Sequence, residues 1–172
     1  EYGFRVILVE YPGYGDRPGK PGEDLLVNDA LDVISLANEE YGEPIYIWGE
    51  SLGSGVAAGA VQKSNIPIQG LVLFLAWDTF PDLAQTHYRY LPVKWLIRDT
   101  YDNVENLKDY TGKTAILLAE NDEVIPFKHG QNLFNSIHSE KQLWVFEEGG
   151  HNDVSMSPHD YWWKEVIAFL TL

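Results

Sequence analysis

The chain has no cysteine among its 172 residues. Disulfides, thiol nucleophiles and thiolate metal sites are therefore excluded, and the redox compartment is left open. Basic residues are scarce, with 12 Lys and Arg against 26 Asp and Glu and a net charge of −14. No basic cluster interrupts that balance, so nucleic acid and anionic membrane surfaces are not expected as direct partners. Long apolar runs are also lacking. The longest, Leu71 to Trp77, is far too short to span a bilayer, and no direct membrane insertion by this segment is expected. No signal peptide is visible, and a cytoplasmic location is the expectation. Glu1 in place of an initiator methionine leaves room for a targeting segment upstream. Internal repeats and low-complexity linkers are absent too.

What is present is a well-patterned globular chain, 45% hydrophobic and 13% aromatic, of a length that fits one domain over residues 1–172. Strand-like and helix-like segments alternate. Strands are expected over Phe4–Tyr11, Pro44–Trp48, Ile68–Trp77, Thr114–Ala119 and Lys141–Phe146. A helix is expected from Glu23 to Tyr41, with Leu26, Ala30, Val33, Ile34, Ala37 and Tyr41 on one face. Others start near Val56, after Pro126, and after the capping run Ser157-Pro158-His159-Asp160. Residues 79–112 read as irregular, a short cap-like or pocket-lining insertion. The pattern implies an α/β fold: an open, mostly parallel sheet of about five strands flanked by helices.

The most informative motif is Gly49-Glu50-Ser51-Leu52-Gly53. Chance predicts about 0.06 matches to G-x-S-x-G in such a chain. Here the motif also follows a β-branched, aromatic run and precedes the small-residue stretch Val56–Val61. That order of strand, sharp turn and helix is the setting of a nucleophile elbow, whose glycines allow the serine a strained outward conformation. A bland glycine-rich turn is the competing reading.

A serine nucleophile needs a base to take its proton and an acid to orient the base. His151, in Gly149-Gly150-His151-Asn152-Asp153, follows a strand and sits beside glycines that can present it. His129, His138 and His159 fall in helical stretches and His87 in the cap-like segment, so His151 is the expected base. Glu120, Asp122 and Glu123 share the loop after Thr114–Ala119. Asp122 is favoured for its short, stiff side chain and the nearby Pro126, while Asp153 is too close in sequence to His151. Tyr11, Tyr14 and Trp77 follow strands at the same rim and either line a substrate pocket or pack under the cap. The Leu52 N–H is the expected oxyanion donor.

Four pieces carry a family resemblance: Tyr11-Pro12-Gly13-Tyr14-Gly15, the elbow, Asn121–Pro126 with Lys128-His129-Gly130, and Gly150-His151-Asn152-Asp153. Together they resemble the α/β-hydrolase superfamily, in particular small depalmitoylating and prolyl-oligopeptidase-like serine hydrolases. The resemblance implies Ser51 as nucleophile, Asp122 as acid and His151 as base. It implies an acylated or small-molecule substrate, cleaved at an ester or thioester, with a peptide bond as the alternative, and without metal or organic cofactor. Ala119 stands where such enzymes often carry glycine. Phe4–Tyr11 matches the family's fourth strand, so the third strand, which lies between it and the elbow strand, has no counterpart. The residues are thus expected to be the carboxyl-terminal part of a longer hydrolase, with the fold incomplete at the N-terminus. Alternatively the first two visible strands pair directly, and losing the second oxyanion donor lowers turnover by about 10²–10³. Two rivals remain: a binding module that kept the fold and lost turnover, and a nucleotide-binding oxidoreductase suggested by Gly53-Ser54-Gly55 and Asp78.

Overall fold

The computed structural model describes residues 3–172. Its elements are α1 (Glu23–Tyr41), β1 (Tyr46–Glu50), α2 (Leu52–Lys63), β2 (Gly70–Phe74), α3 (Phe80–His87), α4 (Val93–Leu96), α5 (Asn103–Asn106), β3 (Lys113–Ala119), α6 (Phe127–Ser136), β4 (Lys141–Phe146) and α7 (Tyr161–Thr171). The strands form one sheet in the order β1-β2-β3-β4. Every ladder is parallel, with Gly49 beside Leu73, Leu73 beside Ile116, and Ile116 beside Leu143.

Strand alternation sorts the core into two layers. Leu71, Leu73, Ile116 and Leu118 face α2 and α6, against Ala57, Ala58, Leu133 and Ile137. Val72, Phe74, Ala115 and Leu117 face α7, against Trp162, Val166 and Leu170. This double covering explains why β2 is buried at all five positions and reads as an unbroken apolar run. α1 closes over α2, where Val27 sits against Gly59 and a Cβ on that glycine would lie 2.8 Å from Val27 Cγ2. Val27 thus joins Leu26 and Ile34 as a buried residue of α1, whereas Tyr41, expected on that face, is exposed.

An aromatic layer closes the α7 side. Phe74 meets Trp48, Phe146 and Trp162 with ring centroids 6.1, 5.9 and 6.3 Å apart. Truncating Phe74, which is 2% exposed, leaves a cavity among rings that cannot collapse together. Phe74→Ala is expected to cost about 3–5 kcal/mol in equilibrium urea unfolding; a loss under about 1 kcal/mol would show the layer to be dispensable.

Three expectations need correction. Phe4–Tyr11 is not a strand: residues 3–10 carry no ladder and are exposed. Apolar patterning cannot make a strand without a neighbour to take its backbone hydrogen bonds. The run does not pair with β1, although the Phe4 and Tyr46 rings meet edge to face at 5.4 Å. The sheet of described residues therefore has four strands rather than five. Second, the Ile68–Trp77 strand is shorter, Gly70–Phe74, because Leu75 turns to φ 52°. Third, residues 79–112 are not irregular throughout but carry α3, α4 and α5. Thr79 starts α3 by accepting the Asp82 N–H on its hydroxyl at 3.2 Å, a capping pattern. No described helix is long and apolar enough to cross a membrane.

Candidate active site

β1 ends at Glu50 and α2 begins at Leu52, so the whole turn falls on Ser51. Its backbone sits at φ 47°, ψ −119°, a conformation that is costly for a non-glycine residue and persists only when the surroundings impose it. They do so here. The Ser51 N–H donates to the Phe74 carbonyl at 2.9 Å, and the Ser51 carbonyl accepts from the N–H of Ser54 at 2.8 Å. The Ser54 hydroxyl, fully buried, donates to the same carbonyl at 2.7 Å. Gly49 lets the helix fold back on the strand: a Cβ there would lie 2.8 Å from Ala57 Cβ.

The second component hangs from β4. His151 lies past Phe146 in a loop tied to the neighbouring one by Asn121, whose N–H donates to the Gly149 carbonyl at 3.2 Å and whose side-chain amide donates to the Glu147 carbonyl at 2.7 Å. The Gly150 N–H donates to the Asp153 carboxylate. His151 Nε2 lies 3.0 Å from Ser51 Oγ. On the other side of the ring, Nδ1 lies 2.7 Å from Asp122 Oδ2. A carboxylate can only accept, so Nδ1 carries the proton and Nε2 is left to accept from the serine hydroxyl.

Asp122 follows β3 and is buried, while Glu120 and Glu123 on the same loop are exposed. Its Oδ1 accepts from the N–H groups of Val124 and Ile125 at 2.8 and 2.7 Å. Both carboxylate oxygens are thereby committed, one to the loop and one to the imidazole. Ser51, Asp122 and His151, expected from sequence to meet, lie in one hydrogen-bonded line at the carboxyl ends of three parallel strands.

Residues 1–77 match the family model described as serine aminopeptidase, S33. The chain is 35% identical over 150 residues to the lysophosphatidylserine lipase ABHD12 of Gallus gallus, covering 77% of this chain and 39% of that protein. It is 30% identical over 173 residues to an uncharacterised protein of Mycobacterium tuberculosis, covering 98% and 60% of the two chains. The chain belongs to the α/β-hydrolase superfamily. It spans less than half the length of its lipase relatives. Among solved structures, its fold is like that of an acetyl xylan esterase from a Paenibacillus species, with TM-score 0.65, 18% identity, and coverage of 94% of this chain and 60% of that one. A lipase-esterase related protein from Clostridium acetobutylicum gives TM-score 0.63, 15% identity, and coverage of 83% and 74%.

The remaining candidate residues fall in different places. Trp77 is buried with Val56, Leu83 and Tyr101, and Tyr11 and Leu52 pack against the same cluster. Tyr11 is half-buried, its hydroxyl 3.3 Å from where a Cβ on Gly53 would stand. Burial, reinforced by Tyr14 and then Asp29, pushes its phenol above the ordinary value. Tyr14 is exposed, its ring 6.1 Å from that of Tyr11. Leu52 opens α2, where a helix offers its first N–H groups no carbonyl partner. Gly53-Ser54-Gly55 lies inside the first turn of α2 rather than in a loop after the strand, so the register of a dinucleotide-binding turn is not met. Among the described residues, no group of three His, Asp or Glu side chains is placed to hold a metal ion.

Two other histidines stand differently from expectation. Of His129, His138 and His159, only His129 lies in a helix, because α6 stops at Ser136 and α7 starts at Tyr161. His129 is 4% exposed and joined through Nδ1 to the buried Asp78 carboxylate at 2.7 Å. Sequence reading missed this pair; the position of Asp78 at a strand end and of His129 beside Gly130 was the available signal.

Proposed function

We propose that the chain supplies the catalytic machinery of a serine hydrolase that transfers an acyl group from a carboxylic ester or thioester to water. The carrying observation is the continuous line from Ser51 Oγ through the His151 ring to Asp122. In the first step His151 Nε2 takes the hydroxyl proton while Ser51 Oγ bonds to the carbonyl carbon. Asp122 stabilises the imidazolium and keeps Nδ1 protonated. The carbonyl oxygen gains negative charge and faces the free Leu52 N–H. The imidazolium then protonates the departing alcohol or thiol, leaving an ester on Ser51. Water, deprotonated by the same Nε2, releases the acid and restores the serine.

The lipase names of the relatives favour a fatty acyl ester as substrate. Tyr11, half-buried beside Leu52, offers the apolar surface on which an acyl or leaving group would rest, with Tyr14 at its open end and the buried Trp77 packed in the cluster behind it. The elbow itself argues against a mere binding module, since a module has no use for a strained serine aimed at an imidazole.

A fluorophosphonate probe tests the reading, because it reacts with a serine only when a base activates it. Incubation with the full-length protein is expected to give one label, on the peptide containing Ser51. Absence of label would overturn the assignment and favour a non-catalytic module with this fold.

A further inference from the structure

We propose that His87, at the end of α3, is a positioning residue for Asp122. This rests on the hydrolase reading above. His87 Nε2 lies 2.8 Å from the Val124 carbonyl oxygen, so the ring donates there. That carbonyl belongs to the same peptide group as the Ile125 N–H, which donates to Asp122 Oδ1 at 2.7 Å. One peptide unit thus receives a hydrogen bond at its oxygen and passes one on from its nitrogen. Accepting at the oxygen polarises the amide and makes the N–H a stronger donor. The line therefore runs from the cap-like segment through the acid loop to the imidazole and the serine.

A side chain can steer a loop only if its own backbone is held. The preceding residue does this. Thr86 Oγ1 lies 2.9 Å from His129 Nε2, and also 3.2 Å from the Asp82 carbonyl one turn back. His129 is fixed in turn by Asp78, whose carboxylate also accepts from the Thr79 N–H at 2.8 Å and the Asn132 side-chain amide at 2.9 Å. This buried network joins α3 to α6, the helix that continues directly from the acid loop, and the His129 N–H donates to the Pro126 carbonyl at 2.9 Å. Adjacent residues of α3 thus grip both ends of the segment running from Val124 to His129. Nothing in the acyl-transfer steps uses Asp78, Thr86, His87 or His129, so their arrangement is explained by holding the acid rather than by touching substrate.

The test uses the full-length protein with His87→Ala, His87→Gln and Thr86→Val. Rates are measured on an aryl ester and divided by the number of sites that react with fluorophosphonate. His87→Ala is expected to lower kcat per competent site by about 5- to 10-fold, the weight of one hydrogen bond, with KM within about twofold. Glutamine keeps a donor at similar reach, so His87→Gln is expected to recover kcat to within about twofold. Thr86→Val is expected to act in the same direction as His87→Ala. A residue that served only stability would change the number of competent sites and leave the rate of each unaltered. Hydrogen exchange of the Ile125 amide gives a readout without turnover, and is expected to speed up about tenfold in His87→Ala. Unchanged kcat per site with unchanged Ile125 exchange would overturn the proposal, as would failure of the glutamine variant to recover. If wild-type Ser51 takes no label, the hydrolase reading fails, and Ile125 exchange alone decides whether His87 holds the loop.

Discussion

Ser51→Ala is expected to lower turnover of an aryl ester by about 10⁶-fold, the cost of removing a nucleophile whose partners act only through it. The substitution deletes one oxygen and nothing else. Alanine meets the same backbone penalty at φ 47° as serine does, and the bonds that impose that angle come from main-chain groups and from Ser54. The fold is therefore expected to survive, and substrate affinity to change little. His151 loses its contact at 3.0 Å but keeps Asp122. Stopped assays with purified wild-type and variant protein, matched by circular dichroism and thermal midpoint, check this. A variant retaining more than about one hundredth of wild-type turnover would mean that the acyl group is not carried on Ser51.

The second large effect is expected from Asp122→Asn, about 10⁴-fold in kcat. The reason lies in which oxygen does what. Oδ1 is held by two main-chain donors, Val124 and Ile125, so asparagine must place its carbonyl oxygen there. Its NH₂ group then faces His151 Nδ1 in place of Oδ2. Nδ1 must accept, the ring proton moves to Nε2, and Nε2 presents a hydrogen to Ser51 where a lone pair is required. The geometry is preserved and the tautomer is wrong. Steady-state kinetics give the loss. NMR of the imidazole nitrogens shows the tautomer directly; an unshifted tautomer with full activity would remove Asp122 from the mechanism.

The parts of this molecule written locally in the chain were legible there. The elbow is one, since five consecutive residues dictate strand, turn and helix. α1 is another, since its apolar period marks out the helix that runs from Glu23 to Tyr41. Asp122 and His151 could be chosen because each follows a strand, although their meeting across 29 positions could not be computed from spacing. What failed depended on neighbours. The apolar run at residues 4–11 reads as a strand, but a ladder is a property of two segments. Tyr41 lost its place in the core, and Val27 gained one, because the tilt of α1 over Gly59 is set by packing rather than by period. His129 looked like an ordinary helical residue because its place beside Gly130 does not point to a carboxylate 51 positions earlier. The capping pattern of Thr79 and Asp82, by contrast, was readable and would have revealed α3.

All four strands run the same way, so Glu50 and Phe146 finish on a common edge, three interstrand steps or about 14 Å across the sheet, with Phe146 two residues further along. The stretch from Glu147 to Gly150 must bridge that gap to deliver the imidazole to the serine, folding over the Asn121–Asp122 corner on its way. It works as a ruler. Its letters can drift, provided the corner still holds it, but its number of residues cannot, because one link more or fewer would shift the ring by most of the length of the bond it has to make.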